Sequence, residues 1–243
     1  MPATCLQNID VVILAGGFGT RLHSVVADRP KVLAPVNGVP FLKCYLEWLA
    51  GFGARRVILS LGHLAGMVQD YVKSENWDGM EIVANIEMTP LGTGGAVRAC
   101  LPLVQSPTAL VANGDSVARV DLCRFAEFHR AKAARLSIVL AHQPQTGAFG
   151  LVETDANDAV ISFNEKPQQQ TAVGGYINAG LYLMQRDAMA EIPGDKPISI
   201  EKDVFPKFCR RGFYALKGEF PFIDIGTPES YRRAGEFFRQ EAA

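Results

Sequence analysis

Three stretches of this 243-residue chain put charge and backbone donors where phosphate chemistry could use them. The first, Leu14-Ala-Gly-Gly-Phe-Gly-Thr-Arg-Leu22, follows directly on the apolar run at 10–14. Its glycines allow a tight turn whose N–H groups can cradle a phosphate. Arg21 closes the loop and Lys31 follows in Pro30-Lys31. Two cations flanking one loop can neutralise a triphosphate and its departing pyrophosphate. Two better-known loops are excluded: counting from Gly17, Leu22 stands where a dinucleotide fingerprint needs its third glycine, and Gly19-Thr20-Arg21 is not the Gly-Lys-Ser/Thr of a P-loop. Taken alone, the glycines could equally form a plain turn with Arg21 and Lys31 as solvated surface charges.

The second stretch, Asn113-Gly-Asp115, lies just beyond an apolar segment at 109–112, which places Asp115 at a strand's carboxyl end, where open α/β sheets bind ligands. The third holds Asp224 between Phe222-Ile223 and Ile225-Gly226. A carboxylate in so apolar a run needs a partner, either a divalent cation or an arginine. Lys166, in Glu165-Lys-Pro167, reads by itself as an exposed lysine of a turn. His23, His63, His129 and His142 form no HExxH pattern, and Cys5, Cys44, Cys100, Cys123 and Cys209 are odd in number with no CxxC spacing. That usage predicts reduced thiols in a cytoplasmic protein, without a disulfide framework or a structural zinc.

These residues need a scaffold, and the hydrophobic pattern supplies one. Apolar runs at 10–14, 56–60, 80–86, 109–112 and 136–141 read as strands. Segments with helical spacing lie between them at 40–52, 65–72, 96–101 and 122–133. Alternation of this kind predicts a mostly parallel sheet with helices on both faces. Beyond His142 the pattern changes to short β-like runs at 150–153, 160–163 and 176–184, then a helix at 228–239 that packs back on the body. With 24 Lys+Arg against 25 Asp+Glu, the net charge of −1 gives no general pull toward nucleic acid or an anionic membrane. No apolar stretch approaches the ~18 residues of a membrane span, and the N-terminus lacks the basic and apolar regions of a secretory signal.

In their order and spacing, Gly16-Gly-Phe-Gly-Thr-Arg-Leu22 with Pro30-Lys31, Pro90-Leu-Gly-Thr-Gly-Gly-Ala96, Asn113-Gly-Asp115, Phe149-Gly150, Glu165-Lys-Pro167, Asn178-Ala-Gly180, Ser199-Ile-Glu-Lys-Asp203 and Phe222-Ile-Asp-Ile-Gly-Thr-Pro228 resemble the sugar-1-phosphate nucleotidyltransferases. The resemblance implies a Rossmann-like three-layer α/β core with a mostly parallel sheet and a small β-rich sugar-binding subregion. It implies one domain over 1–243, with 1–142 mainly binding nucleotide. Residues 143–243 would carry the sugar subregion, the second metal carboxylate and the C-terminal helix.

By the same resemblance, Arg21, Lys31 and Lys166 are the catalytic cations, with Lys166 on the sugar phosphate. Leu14, Ala15, Gly16, Gly17, Gly19, Thr20, Glu87, Gly92 and Thr93 bind the nucleotide, and Asp115 and Asp224 hold Mg²⁺. Asn113, Gly150, Glu165, Asn178 and Glu201 face the sugar, while Phe149 departs from the family's usual Tyr-Gly. Glu87 ahead of Pro90-Leu-Gly-Thr93 favours GTP, since guanine's N1–H and N2–H₂ are two donors that one carboxylate can accept together. His23-Ser-Val-Val26 and Ser199-Ile-Glu-Lys-Asp203 look like the D-glycero-α-D-manno-heptose 1-phosphate guanylyltransferases of surface polysaccharide assembly. Mannose 1-phosphate guanylyl transfer and N-acetylmuramate 1-phosphate uridylyl transfer stand as alternatives. Outside this activity, so do a sugar-nucleotide-binding regulatory protein and a dehydrogenase. No acyltransferase β-helix is expected after the Asp224 motif, and homo-oligomerisation is left open.

Overall fold

The computed structural model describes residues 4–17, 22, 25–26, 28–145, 151–164, 173–194 and 196–239. Its strands are β1 (Asp10–Ala15), β2 (Pro35–Val36), β3 (Val39–Pro40), β4 (Arg56–Leu61), β5 (Glu81–Ile86), β6 (Thr108–Asn113), β7 (Ser116–Ala118), β8 (Leu136–Gln145), β9 (Leu151–Thr154), β10 (Val160–Asn164), β11 (Val173–Gln185), β12 (Phe213–Gly218) and β13 (Phe222–Asp224). The helices are α1 (Phe41–Gly51), α2 (Ala65–Ser74), α3 (Gly92–Cys100), α4 (Leu122–Ala131), α5 (Arg186–Ala190), α6 (Phe205–Phe208) and α7 (Pro228–Arg239). A π-helical turn, Ile200–Val204, leads into α6.

Nine strands form one sheet. Its path runs β10-β9-β11-β6-β1-β4-β5, with β8 on the other edge of β11 and β12 beside β8. The predicted parallel order holds from β6 through β1 and β4 to β5 and returns between β8 and β12, whereas β11 runs antiparallel to β6 and β8. Successive residues of β1 alternate between two cores, Val11 and Ile13 in one and Val12 in the other; β4 and β6 do the same. Helices α1, α2, α4 and α7 cover the first face, and α3, α5 and α6 the second. Burial on both faces explains why these strands read as continuous apolar runs rather than alternating ones.

The structure adds elements that the hydrophobic pattern did not reveal. The β2–β3 hairpin and β13 are only two or three residues per strand, too short for a period to register. Helix α3 starts at Gly92, ahead of the predicted 96, because Gly94 and Gly95 are buried against the segment around Ile198 rather than chosen for helix propensity. One expectation is overturned: Cys5 and Cys123 are joined in a disulfide, with Cα atoms 5.2 Å apart. Their separation of 118 residues hides the pair in the sequence, and the fold brings the turn before β1 onto the first turn of α4. Among the described residues, no helix is long and apolar enough to cross a membrane.

Candidate functional site

The chain crosses from one side of β1 to the other between β5 and β6, so the sheet reverses direction of growth between β1 and β6. Such a switch point opens a crevice at the carboxyl ends of the strands. Here it holds a cavity of about 320 Å³. Leu14, Ala15, Gly16 and Gly17 line it from the end of β1, Asn113, Gly114 and Asp115 from the end of β6, and Glu87 from the end of β5. Gly92 and Thr93, at the start of α3, and Lys31 complete the walls. A hydrogen bond from the Gly114 N–H to the Leu14 carbonyl (2.9 Å) holds the β1 and β6 loops together.

Lys31 and Asp115 meet across this cavity, Nζ to Oδ2 at 2.9 Å. Asp224 is drawn to the same corner by the short β7–β13 ladder, in which it pairs with Ser116, the residue after Asp115. The Ile225 N–H donates to the Asp115 carbonyl (2.8 Å), fixing the turn that carries Asp115 beside the end of β13 that carries Asp224. Asp224 Oδ1 accepts from the Gly226 N–H (2.7 Å) and the Ser230 hydroxyl (3.3 Å). Two hard carboxylates, Asp224 on β13 and Asp115 in the turn between β6 and β7 and already paired with an ammonium, suit an oxygen-seeking divalent metal. Among the described residues no group of three or more His, Cys, Asp or Glu comes together as a metal site.

The Glu87 carboxylate forms part of the opposite wall. Its Oε1 accepts from the Ser60 hydroxyl (2.8 Å) and its Oε2 from the Leu91 N–H (3.3 Å). The Cys100 thiol also hydrogen-bonds with Ser60; burial pushes its pKa up to about 11, so it stays protonated. Thr93 is tied to the π-turn: its hydroxyl donates to Glu201 Oε2 (2.9 Å) and accepts from the Ile200 N–H (2.8 Å). Ser199 donates to the same Glu201 oxygen (3.0 Å).

Asn178 and Glu201 sit behind the cavity lining rather than in it, as does Asp224. Asn178 lies at a bulge in β11, where the register against β8 shifts between Asn178 and Tyr182. Its Oδ1 accepts from the Gly180 N–H (2.9 Å) and its Nδ2 donates to the Tyr182 hydroxyl (2.8 Å), which the Asn113 amide also reaches. Gly180 has φ of 73°, and a Cβ there would lie 2.7 Å from Ser116 Oγ and 2.8 Å from Asn113 Nδ2, so only glycine fits the bulge. Burial, followed by the charge of Glu201, raises the Tyr182 pKa, leaving a neutral phenol beneath Asn113. The Oδ1 of Asn113 is buried with no hydrogen-bond partner among the described residues, a polar atom left over in the cavity wall.

Gly19, Thr20, Arg21, Gly150, Glu165 and Lys166 lie outside the described residues, as does Phe149. Sequence reasoning missed Ser60 and Tyr182. A lone serine inside Val57-Ile-Leu-Ser-Leu61 and a tyrosine inside an apolar strand give no signal of their own.

The model of the family described as "Nucleotidyl transferase" matches residues 10–241. The chain is 34% identical to the D-glycero-alpha-D-manno-heptose 1-phosphate guanylyltransferase of Campylobacter jejuni subsp. jejuni serotype O:2, over 92% of this chain and 97% of that one. It is 33% identical to the mannose-1-phosphate guanylyltransferase of Mycobacterium tuberculosis over 93% of this chain, but spans only 64% of that protein's length. Among solved structures, HddC from Yersinia pseudotuberculosis complexed with GMP-PN superposes with a TM-score of 0.83 at 37% identity, covering 95% of this chain and 99% of that one. Since the family model spans the sheet, the Lys31–Asp115 corner and the Asp224 ladder alike, the chain belongs to the nucleotidyl transferase family.

Proposed function

We propose that the chain transfers GMP from GTP to D-glycero-α-D-manno-heptose 1-phosphate, releasing pyrophosphate. The observation that carries this reading is the cavity itself, which has a cation and a carboxylate at one side and an acceptor-only carboxylate at the other. The relatives that match over nearly their whole length, a heptose 1-phosphate guanylyltransferase and HddC in complex with GMP-PN, support the choice of nucleotide and sugar.

In the proposed reaction a phosphate oxygen of the sugar 1-phosphate attacks the α-phosphorus of GTP in line, and the bond to the β-phosphate breaks as pyrophosphate leaves. Transfer of this kind needs positioning and charge neutralisation rather than a side-chain nucleophile. Lys31 exchanges Asp115 for the phosphates and, with Arg21, balances the charge on the leaving pyrophosphate. The N–H groups around Gly16 and Gly17 cradle the triphosphate at the end of β1. Lys166 holds the incoming sugar phosphate, and Asn113 is the cavity-lining amide offered to the sugar. Mg²⁺ held by Asp115 and Asp224 would supply a Lewis acid on the phosphate oxygens.

The test is a matrix of GTP, UTP, dTTP and ATP against heptose, mannose and glucose 1-phosphates, scored by pyrophosphate release. The expected maximum is GTP with the heptose. A maximum at mannose 1-phosphate would move the sugar assignment, and no release in any cell would end the enzymatic reading.

A further inference from the structure

Ser60 is the one hydroxyl in the carboxyl half of β4, and it is fully buried. It pairs with Leu14 of β1 on one side and Asn85 of β5 on the other, so it sits inside the sheet just beneath the cavity. A buried hydroxyl among aliphatic neighbours costs desolvation unless its hydrogen bonds are made. Here it donates to Glu87 Oε1 at 2.8 Å. The second oxygen takes the Leu91 N–H at 3.3 Å, and the Glu87 N–H donates to the Leu61 carbonyl at 2.8 Å. Gly16 lies close enough that a Cβ built on it would be 3.0 Å from Oε1.

These contacts hold the carboxylate in one plane and at one height in the wall. Each oxygen keeps a second lone pair, so the group offers two acceptors at fixed spacing and no donor. A base edge with two adjacent N–H donors, as in guanine, satisfies both. A base edge with one N–H between two carbonyls, as in uracil, sets a carbonyl oxygen against a carboxylate oxygen.

We infer that Ser60 is a positioning residue for base discrimination: it aims the Glu87 carboxylate so that a guanine edge is accepted and a uracil edge repelled. The inference rests on the guanylyl-transfer reading above. It assigns Ser60 no contact with substrate. Its effect therefore has to pass through Glu87, and the two residues should not act independently.

The experiment measures kcat/KM for GTP and for UTP at saturating sugar 1-phosphate, together with the KM of the sugar 1-phosphate, in wild type, Ser60→Ala, Glu87→Gln and the double variant. Ser60→Ala is expected to lower GTP efficiency by about 5- to 20-fold while UTP efficiency and sugar KM stay within about twofold. Adding Ser60→Ala to Glu87→Gln should change the GTP-to-UTP ratio by less than about twofold. Competition binding of GMP against UMP gives a readout free of turnover and should show the same loss of preference. An equal loss for both bases, or independent effects in the double variant, would overturn the inference and leave Ser60 as part of the strand's packing. A wild type that prefers UTP or releases no pyrophosphate would overturn the guanylyl reading, and the inference with it.

Discussion

At the scale of single residues, the Lys31–Asp115 ion pair sets two substitutions in opposite directions. Asp115→Asn and Asp224→Asn should each lower Mg²⁺-dependent turnover by on the order of 10²-fold or more in a folded protein. Near-normal rates in both would remove the metal assignment. Without metal the two should part. Asp115→Asn releases Lys31 from its 2.9 Å partner, so metal-free GTP binding should tighten by about 3- to 10-fold relative to wild type. Asp224→Asn, whose carboxylate pairs with no lysine among the described residues, should change it less, and calorimetry in EDTA reads the difference. The residues of this corner were legible in the sequence because glycine loops and strand-end acids fall in motifs of fixed spacing. Ser60 was not, because its role comes from the position of Glu87, which lies on another strand.

At the scale of elements, helix α4 is joined to the sheet by a polar contact inside the core. His129 is buried, with Nδ1 2.8 Å from the Ser137 hydroxyl of β8 and Nε2 3.3 Å from the Gln185 amide of β11. An amide that donates to Nε2 leaves Nδ1–H to donate to Ser137, so the ring is neutral. Burial lowers its pKa from 6.5 to about 4. The folded value is the depressed one, so between about 6.5 and 4 the unfolded chain binds a proton that the folded chain refuses. Stability from this group is therefore level above about pH 6.5 and falls as pH drops, by roughly 2 kcal/mol between pH 7 and pH 5. Urea melts at the two pH values should show that much more loss in wild type than in His129→Gln, and equal losses would contradict the buried neutral ring. The helices and long strands were readable because their periods run over enough residues. The β7–β13 ladder was not: it is three pairs long, and its partners are far apart in the chain.

At the scale of the whole molecule, two features tie distant parts of the chain together. The Cys5–Cys123 disulfide closes a loop of 118 residues, and such a link is worth about 2–4 kcal/mol by restricting the unfolded chain. Cys5→Ser, or reduction with dithiothreitol, should lower Tm by roughly 5–10 °C with little change in turnover, since the pair stands on α4 and the N-terminal turn rather than at the cavity. No loss of Tm in either case would mean that the thiols are reduced in solution. The second feature is the place of β11, which covers the edge of β6 that β1 leaves open. The alternating N-terminal pattern was legible as a scaffold, but the insertion of a late strand beside an early one was not, because pairing partners leave no trace in local periodicity. Residues 1–142 expressed alone should therefore aggregate rather than fold, and a soluble monomer by light scattering would refute this. The order of the strands also has a bearing on synthesis. As the chain leaves the ribosome, β6 emerges with one edge bare and stays so until Val173–Gln185 follows it out, which makes the interval between them the period in which a nascent chain is open to misassociation and to chaperones that bind exposed strands.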